Sequence, residues 1–293
     1  METSVPDIYA AGDAVQVKHY VTGNDALISL AGPANKQGRI IADNICGGDS
    51  RYLGSQGSSV IKVFDMTAAT TGINETNAKK SGLEVDTVIL SPMSHAGYYP
   101  GGKVMTMKVV FEKETYRLLG AQIIGYEGVD KRIDVLATAI HAGLKATQLK
   151  DLDLAYAPPY SSAKDPVNMA GFMIDNIAKG ALKQWHLEDM DKISRDKSVV
   201  LLDVRTVGEF NRGHMDGFKN IPVDELRERI NEIEKGKPVY LICQSGLRSY
   251  IASRILEGNG YETYNFSGGF RFYDAVVNDR ALIEKAYSCG MDY

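Results

Sequence analysis

The chain contains 293 residues, of which 44% are hydrophobic, and its formal net charge is −4. This length is enough for two or three domains that each bury a core. Acidic and basic residues are interspersed without a lysine- or arginine-rich run, which argues against nucleic acid or an anionic membrane as a partner. We find no signal-peptide pattern and no apolar segment long enough to cross a bilayer. We therefore expect a cytoplasmic enzyme or carrier.

The cysteines also favour a reducing compartment. Cys46, Cys243 and Cys289 are the 3 cysteines of the chain, and they lie far apart. An odd number without a CxxC pair suits neither a disulfide scaffold nor a cysteine metal site. We expect no metal site and at least one free thiol.

The first segment of the chain is predicted to contain a short strand and a helix. An apolar strand is predicted over residues 8–11, and a helix over about residues 35–45. Gly47 and Gly48 follow as a helix-ending pair.

The middle of the chain mixes strands and helices. Alternating apolar residues predict strands in VIKVFDMTAATTG, VDTVILSP, KVMTMKVVFEKET and RLLGAQIIG. Helices are predicted over residues 74–81 and 129–141, and a further helix over about residues 167–182. The block is therefore predicted to be of the α+β class.

A fresh alternation of strands and helices begins after a polar junction near residues 183–185. The pattern predicts the strand SVVLLDV, the helix DELRERINEI, the strand PVYLIC and the helix RSYIASRILEGNG. Short parallel strands separated by helices are typical of a small α/β domain with its catalytic groups at the carboxyl ends of strands. Cys243 occupies such an end.

The loop after this strand has the features of an anion cradle. It runs from Cys243 through Gln244, Ser245, Gly246 and Leu247 to Arg248, where a helix is predicted to begin. Backbone N–H groups, the helix N-terminus and Arg248 would stabilise a thiolate at Cys243. The same cradle would hold an anionic persulfide, so the loop could serve both halves of a double-displacement sulfur transfer.

Three motifs here resemble those of the rhodanese family. CQSGLR is similar to its active loop, residues 201–223 (LLDVRTVGEFNRGHMDGFKNIPV) to its first signature, and FSGGF to its closing turn. The resemblance implies that Cys243 is the nucleophile and Arg248 an anion-stabilising residue. Tyrosine phosphatases have a loop one residue longer, so the spacing favours sulfur over phosphate. An inert buried thiol is the alternative.

Two further residues qualify this interpretation. Many thiosulfate-specific members of the family have a basic residue where this chain has Gln244, so we expect a sulfur donor other than thiosulfate. His214 lies in the first signature, and we expect it to be structural rather than catalytic.

The front of the chain resembles the pyridine nucleotide-disulfide oxidoreductases. Residues 3–14 (TSVPDIYAAGDA) are similar to their second flavin-binding signature, and residues 30–45 (LAGPANKQGRIIADNI) to the helix whose N-terminus faces the flavin. The resemblance implies FAD contacts by Gly12, Asp13 and Ala31.

The subgroup with the same features is that of coenzyme A-disulfide reductases and NADH-dependent persulfide reductases, some of which end in a rhodanese domain. This resemblance implies NAD(P)H as reductant, a homodimer, and coenzyme A contacts by the residues Asn35, Arg39, Tyr99 and Tyr160. Tyr98 and Tyr156 are alternatives from the same two loops, HAGYYPGG and YAPPYSSAKDP. A surface polar pair and ordinary interface aromatics remain open.

The resemblance divides the chain into a remnant of an FAD-binding domain (residues 1–56), a dimerisation domain (57–182) and a rhodanese domain (183–293). No GxGxxG turn for a dinucleotide pyrophosphate occurs, and no redox cysteine lies on a preceding helix. We therefore expect the C-terminal part of such a reductase, which by itself does not retain FAD. A fragment and one half of a split protein both remain open.

The main prediction is a sulfurtransferase that acts on small persulfides and thiols within a truncated reductase. The first alternative is a non-catalytic dimerisation and sulfide-binding module without flavin. The second is a flavoenzyme subunit that is completed by a separate polypeptide.

Overall fold

The computed structural model describes residues 1–288, with all side chains except those of residue 278 and residues 280–288. Cys289 lies outside the described residues. The chain divides into two compact units, of which the first comprises Met1–Thr87 and Lys108–Ala146. The second comprises Val88–Met107 and Thr147–Tyr293.

The first segment forms its strands at other positions than the sequence predicts, and its helix is longer than predicted. Two short strands, β1 (Val17–Lys18) and β2 (Asp25–Ala26), pair antiparallel. The strand predicted over residues 8–11 is wrong, because Tyr9 makes only an isolated bridge to Glu2 and no ladder continues from it within the described residues. A strand is stable only alongside a neighbour that takes up its backbone hydrogen bonds.

Helix α1 (Ala31–Ile45) begins four residues before the predicted start. Pro33 lies in its first turn, where the N–H that proline lacks would have no partner within the helix. Gly47, with a left-handed φ of +92°, follows the end of the helix as predicted. Its N–H donates to the carbonyl of Asn44, which helps to close the last turn.

A five-stranded sheet of order β3-β4-β7-β6-β5 follows. The elements of this part of the chain are β3 (Ser59–Val63), β4 (Met66–Gly72), α2 (Glu75–Lys80), β5 (Val85–Leu90), β6 (Thr106–Glu112), β7 (Leu118–Gly125) and α3 (Val129–His141). The predicted helices are confirmed. Asn74 caps α2 by accepting from the N–H of Asn77, and α3 buries Ile133, Leu136 and Ile140 on one face.

Strands β3 and β4 form an antiparallel hairpin where the sequence predicts one continuous run. The chain reverses at Phe64 and Asp65, and Phe64 has a left-handed φ of +51°. Such a turn needs positive φ angles, which usually select asparagine or glycine. Because neither residue is present at this turn, the sequence does not predict it.

The second unit contains helix α4 (Pro166–Ala178), which Asp165 caps by accepting from the N–H of Val167. This helix ends before residue 182, the predicted end. The remaining elements are β8 (Gln184–Trp185), α5 (Met190–Ile193), β9 (Val200–Asp203), α6 (Val207–Arg212), β10 (Lys219–Asn220), β11 (Val239–Ile242), α7 (Leu247–Glu257), β12 (Thr263–Phe266) and α8 (Gly269–Ser288).

Five of these strands form a parallel sheet of order β10-β9-β11-β12-β8. Successive residues of a strand point to opposite faces of the sheet, and both faces are covered. Leu241 packs with Leu202 and Leu256 on one face, whereas Ile242 packs with Trp185 and Phe266 on the other. The predicted α/β domain is confirmed, with β11 at the centre of its sheet.

One local prediction in this domain is wrong. The helix predicted over residues 224–233 is a series of turns with a 3-10 helix at Ile230–Glu232. The polar junction near residues 183–185 contains β8, an edge strand of the sheet. Tyr261 accounts for the missing helix, because its hydroxyl lies within hydrogen-bond distance of the carbonyls of Ile230 and Ile233, at 3.2 and 3.1 Å. The carbonyl of Ile230 is thereby satisfied without a continuing helix.

None of the helices formed by the described residues combines the length and the apolar character that a membrane span requires.

Candidate functional site

Cys243 directly follows β11, the central strand of the parallel sheet. Its side chain is 1% exposed and packs in the core on one face of the sheet. The carboxyl end of a central parallel strand is where α/β domains place their ligands. The thiol therefore lies where it is expected, at the carboxyl end of the parallel strands.

Two hydrogen-bond donors point at the sulfur of Cys243. The N–H of Gly246 lies 3.1 Å from Sγ, and the hydroxyl of Ser249 lies 3.2 Å from it. Gly246 has a left-handed φ of +99° and immediately precedes α7, so the sulfur also faces the positive end of a helix. Donors in this arrangement stabilise a negative charge on sulfur.

Ser249 was not singled out from the sequence. Its hydroxyl is buried and lies 3.1 Å from the carbonyl of Gly246 as well as close to the sulfur. One hydroxyl hydrogen serves one acceptor at a time, so the hydroxyl can donate to the sulfur when the sulfur is charged and to the carbonyl otherwise. In the sequence, the only indication of this role is that a serine directly follows Arg248.

The closing turn supports the loop from behind. The N–H of Phe270 donates to the carbonyl of Cys243 at 2.8 Å, and the N–H of Arg271 donates to that of Gln244 at 3.2 Å. A side chain at Gly269 would place its Cβ 2.7 Å from backbone atoms of Gln244, so only glycine fits without displacement. The backbone of the loop is therefore held by the turn.

Arg248, the last residue of the loop, binds a carboxylate. Its two terminal nitrogens donate to the two carboxylate oxygens of Glu209, at 2.6 and 2.7 Å. Glu209 also accepts from the N–H and hydroxyl of Thr206 at the start of α6. The hydrogen bonds from Arg248 lower the pKa of Glu209 to about 2, and the same contact raises the pKa of Arg248. The pair is therefore fully ionised at neutral pH.

A second arginine is buried behind the loop. Arg205 and Asp203 are 1% and 0% exposed in their side chains and form an ion pair at 2.7 Å. Arg205 also donates to the carbonyl of Gly213 at 2.8 Å and stacks over the ring of Phe270 at 3.8 Å. It reaches the side-chain oxygen of Gln244 at 3.5 Å. Through these contacts, the first signature packs against the active loop and the closing turn.

Of the remaining candidates, His214 stacks on Phe210 and its Nδ1 lies 3.1 Å from the carbonyl of that residue. These local contacts suit the structural role expected for it. Cys46 is exposed at the end of α1, whereas Cys243 is buried. Ser245 and Leu247 are exposed at the front of the loop.

The polar pair on α1 makes only local contacts. Asn35 donates from Nδ2 to the carbonyl of Ala31 at 3.1 Å, and Arg39 lies 3.7 Å from the carboxylate of Asp43. The side chain of Arg39 is 84% exposed and free to reorient toward a ligand.

Among the tyrosines, the structure brings together the alternative pair. The hydroxyls of Tyr98 and Tyr156 lie 2.7 Å apart, and this hydrogen bond raises the pKa of Tyr156. Tyr99 instead packs edge-on against His95, with ring centroids 5.5 Å apart, and Tyr160 is 72% exposed.

Comparison with known families assigns both large parts of the chain. Residues 58–166 match the pyridine nucleotide-disulphide oxidoreductase dimerisation domain, and residues 186–275 match the rhodanese-like domain. The chain thus joins a reductase dimerisation domain to a rhodanese-like domain.

Two solved structures are similar to this chain over nearly all of its length. The reduced Bacillus anthracis CoADR-RHD is 47% identical with a TM-score of 0.90, over 94% of this chain and 49% of that chain. The NAD-dependent persulfide reductase from A. fulgidus is 42% identical with a TM-score of 0.85, over 93% of this chain and 49% of that chain.

A curated protein whose name describes a related activity is also similar to this chain in sequence. The CoA-dependent NAD(P)H sulfur oxidoreductase of Pyrococcus abyssi is 40% identical over 167 residues, which are 57% of this chain and 37% of that protein. The chain therefore spans about half the length of the two solved relatives, and less of the curated one. The resemblance to coenzyme A-disulfide and persulfide reductases with a rhodanese domain is confirmed.

This reductase resemblance implies FAD, and the residues present fit one end of that cofactor. The N-terminus of α1 at Ala31 receives no capping side chain from Leu30, which suits contact with an electron-rich flavin ring. Asp13 is exposed and suits a ribityl hydroxyl, whereas the N–H of Gly12 already donates to Gln37 at 2.7 Å. The sequence contains no GxGxxG turn for the pyrophosphate.

Proposed function

We propose that this chain is a persulfide sulfurtransferase in which Cys243 carries the transferred sulfur. The observation that supports the proposal is the pair of donors at Sγ, the N–H of Gly246 and the hydroxyl of Ser249, at the start of a helix. A buried cysteine that serves only as a small apolar residue needs no such donors.

The reaction follows from this arrangement in two displacements. The thiolate of Cys243 attacks the outer sulfur of a donor persulfide, so that a bond forms between Sγ and that sulfur while the S–S bond of the donor breaks. The donor leaves as a thiolate with the bonding electron pair and takes up a proton. An acceptor thiolate then attacks the outer sulfur on Cys243, and the Cys243 thiolate leaves in turn.

The loop supports both states of the sulfur. Gly246 and Ser249 stabilise the thiolate, and the outer sulfur would lie at the loop that also contains Gln244, Ser245 and Leu247. Arg248 supplies positive charge beside the sulfur, moderated by its contact with Glu209. Charge that is stabilised by fixed donors needs no reorganisation during the reaction, which is the usual source of large rate effects.

We further propose that the sulfurtransferase acts within a longer reductase, in which residues 1–56 belong to an FAD-binding domain, 57–182 to the dimerisation domain and 183–293 to the rhodanese domain. Bound FAD would supply a hydride acceptor for NAD(P)H. This part of the proposal is supported by the similarity to the two solved reductases, which covers 94% and 93% of this chain.

In that longer protein, Asn35 and Arg39 on α1 are the proposed coenzyme A contacts of one unit. In the other unit, Tyr99 and Tyr160 are the proposed contacts, and Tyr98 and Tyr156, whose hydroxyls lie 2.7 Å apart, are the alternatives. A homodimer is proposed from the match to a dimerisation domain.

The test is direct detection of the sulfur on Cys243. The purified chain is incubated with glutathione persulfide, freed of donor, and its peptides are weighed by mass spectrometry. We expect one added sulfur atom on the Cys243 peptide and its loss when a thiol acceptor is added. Cys243→Ser abolishes the transfer, whereas the matched control Cys46→Ser retains it. Transfer that survives in Cys243→Ser, or is absent from the unaltered chain, would contradict the proposal.

A further inference from the structure

Two arginines at the active loop, Arg248 and Arg205, are each paired with a carboxylate. Arg248 meets Glu209 in a two-pronged contact at 2.6 and 2.7 Å, and Arg205 meets Asp203 at 2.7 Å. Each cation therefore already faces an anion before any substrate arrives. A substrate anion that uses Arg248 has to compete with a carboxylate that is held in place by Thr206.

The front of the loop is uncharged. Gln244, the residue after the nucleophile, is an amide, and the side chain of Leu247 is 65% exposed. Arg271 lies beside the loop through its backbone hydrogen bond to Gln244, but its side chain is exposed, so water and salt screen its charge. The surroundings of the sulfur are thus close to neutral and partly apolar.

From this charge balance we infer that Glu209 is a specificity determinant, which holds Arg248 and thereby disfavours inorganic dianions such as thiosulfate relative to organic persulfides. A dianion needs uncompensated positive charge where it enters a partly buried site. An organic persulfide carries at most one charge on its sulfur, and its carbon chain can rest on Leu247. The inference rests on the proposed sulfurtransferase function and adds a residue that selects between classes of donor.

The chemistry differs between the two donors only in the leaving group. In both cases the Cys243 thiolate forms a bond to the outer sulfur and the S–S bond of the donor breaks. Thiosulfate releases sulfite, a dianion, whereas an organic persulfide releases a thiolate with a single charge. Developing sulfite therefore requires more positive charge at the mouth of the loop, which Arg248 supplies only when it is released from Glu209.

The test is a comparison of two donors in Glu209→Gln. Glutamine keeps an oxygen that can accept from Thr206, so the cap of α6 is retained while the negative charge is removed. We expect the ratio of kcat/KM for thiosulfate to kcat/KM for glutathione persulfide to rise on the order of tenfold, which corresponds to about 1.4 kcal/mol, because Arg248 is no longer paired with a carboxylate. The gain should shrink at high salt.

The matched control is Glu225→Gln. Glu225 also pairs with an arginine of the same domain, Arg229, at 2.8 Å, and this variant makes the same change in net charge. Its donor ratio should equal that of the unaltered chain. An equal rise in both variants would show a general charge effect and would overturn the inference.

A second measurement works without turnover. Iodoacetate is anionic and iodoacetamide is neutral, so the ratio of their alkylation rates at the Cys243 peptide reports the electrostatic potential at the sulfur. We expect this ratio to rise in Glu209→Gln and further in Glu209→Ala, but not in Glu225→Gln. Unchanged ratios for both alkylating agents and both donors, in a chain that still loads sulfur on Cys243, would refute the role of Glu209 and leave the proposed function intact. A chain that loads no sulfur from any donor would refute the proposed function instead.

Discussion

Replacing Gly269 with alanine tests whether the closing turn supports the active loop. The new Cβ would lie 2.7 Å from the carbonyl carbon and oxygen of Gln244 and from the backbone nitrogen of Ser245. Gly269 also has a left-handed φ of +68°, so alanine is strained there even where space exists.

The expected cost has two parts. An alanine in the left-handed region costs about 1–2 kcal/mol, and overpacking against a backbone that cannot easily move costs about 1–3 kcal/mol. We therefore expect Gly269→Ala to lower the free energy of unfolding of this domain by about 2–5 kcal/mol. Gly260→Ala is the matched control, because Gly260 has a φ of +82° and no atom within 4 Å of its Cβ position. It bears the conformational cost alone.

The assay uses the fluorescence of Trp185, the single tryptophan of the chain, which is 2% exposed in the core of the rhodanese domain. Its fluorescence during denaturant unfolding reports this domain separately from the rest of the chain. The rate of sulfur loading on Cys243, measured below the unfolding transition, should also fall in Gly269→Ala but not in Gly260→Ala. Equal losses of stability in the two variants, together with unchanged loading, would refute the idea that the turn supports the loop.

Three further predictions concern single side chains. Ser249→Ala should slow the reaction of Cys243 with iodoacetamide about five- to tenfold, because the thiolate loses one hydrogen-bond donor. Ser249→Thr keeps a hydroxyl at this position and should restore the rate. The pKa of Glu209 is lowered to about 2 by Arg248, so its contribution to stability is present above the ordinary pKa near 4.5 and is lost as pH falls through 2. Glu209→Gln should therefore remove about 1–2 kcal/mol of stability at pH 7 but little at pH 2, in denaturant titrations at both pH values. Phe64 is 95% exposed at the hairpin that follows edge strand β3. If this edge takes part in the proposed homodimer, Phe64→Asp should shift the sedimentation coefficient toward that of the monomer, whereas an unchanged dimer would show that this edge is not part of the interface.

Some features of the protein follow from local sequence patterns. Helix α3 was predicted over its observed range, because its apolar residues recur at helical spacing and that spacing depends only on neighbouring residues. The place of Cys243 at a strand end follows in the same way from a short apolar strand and a glycine-containing turn. Both signals are contained within a few consecutive residues.

The contacts of the site depend instead on residues that are distant in sequence. The sequence predicts that Arg248 stabilises charge on the sulfur, but it does not predict that Glu209, which lies 39 positions earlier, accepts from both terminal nitrogens of Arg248. Likewise, the hydroxyls of Tyr98 and Tyr156 come together only through the packing of two loops.

Tyr261 shows why such outcomes are hidden from local reasoning. The segment 224–233 has the composition of a helix, yet a hydroxyl from about thirty residues away binds the carbonyls of Ile230 and Ile233. Local patterns thus determined which residues form most elements and where the thiol lies. Tertiary structure decided which donors and charges reach that thiol, because hydrogen bonds and ion pairs form between side chains that only the fold brings within about 3 Å of one another.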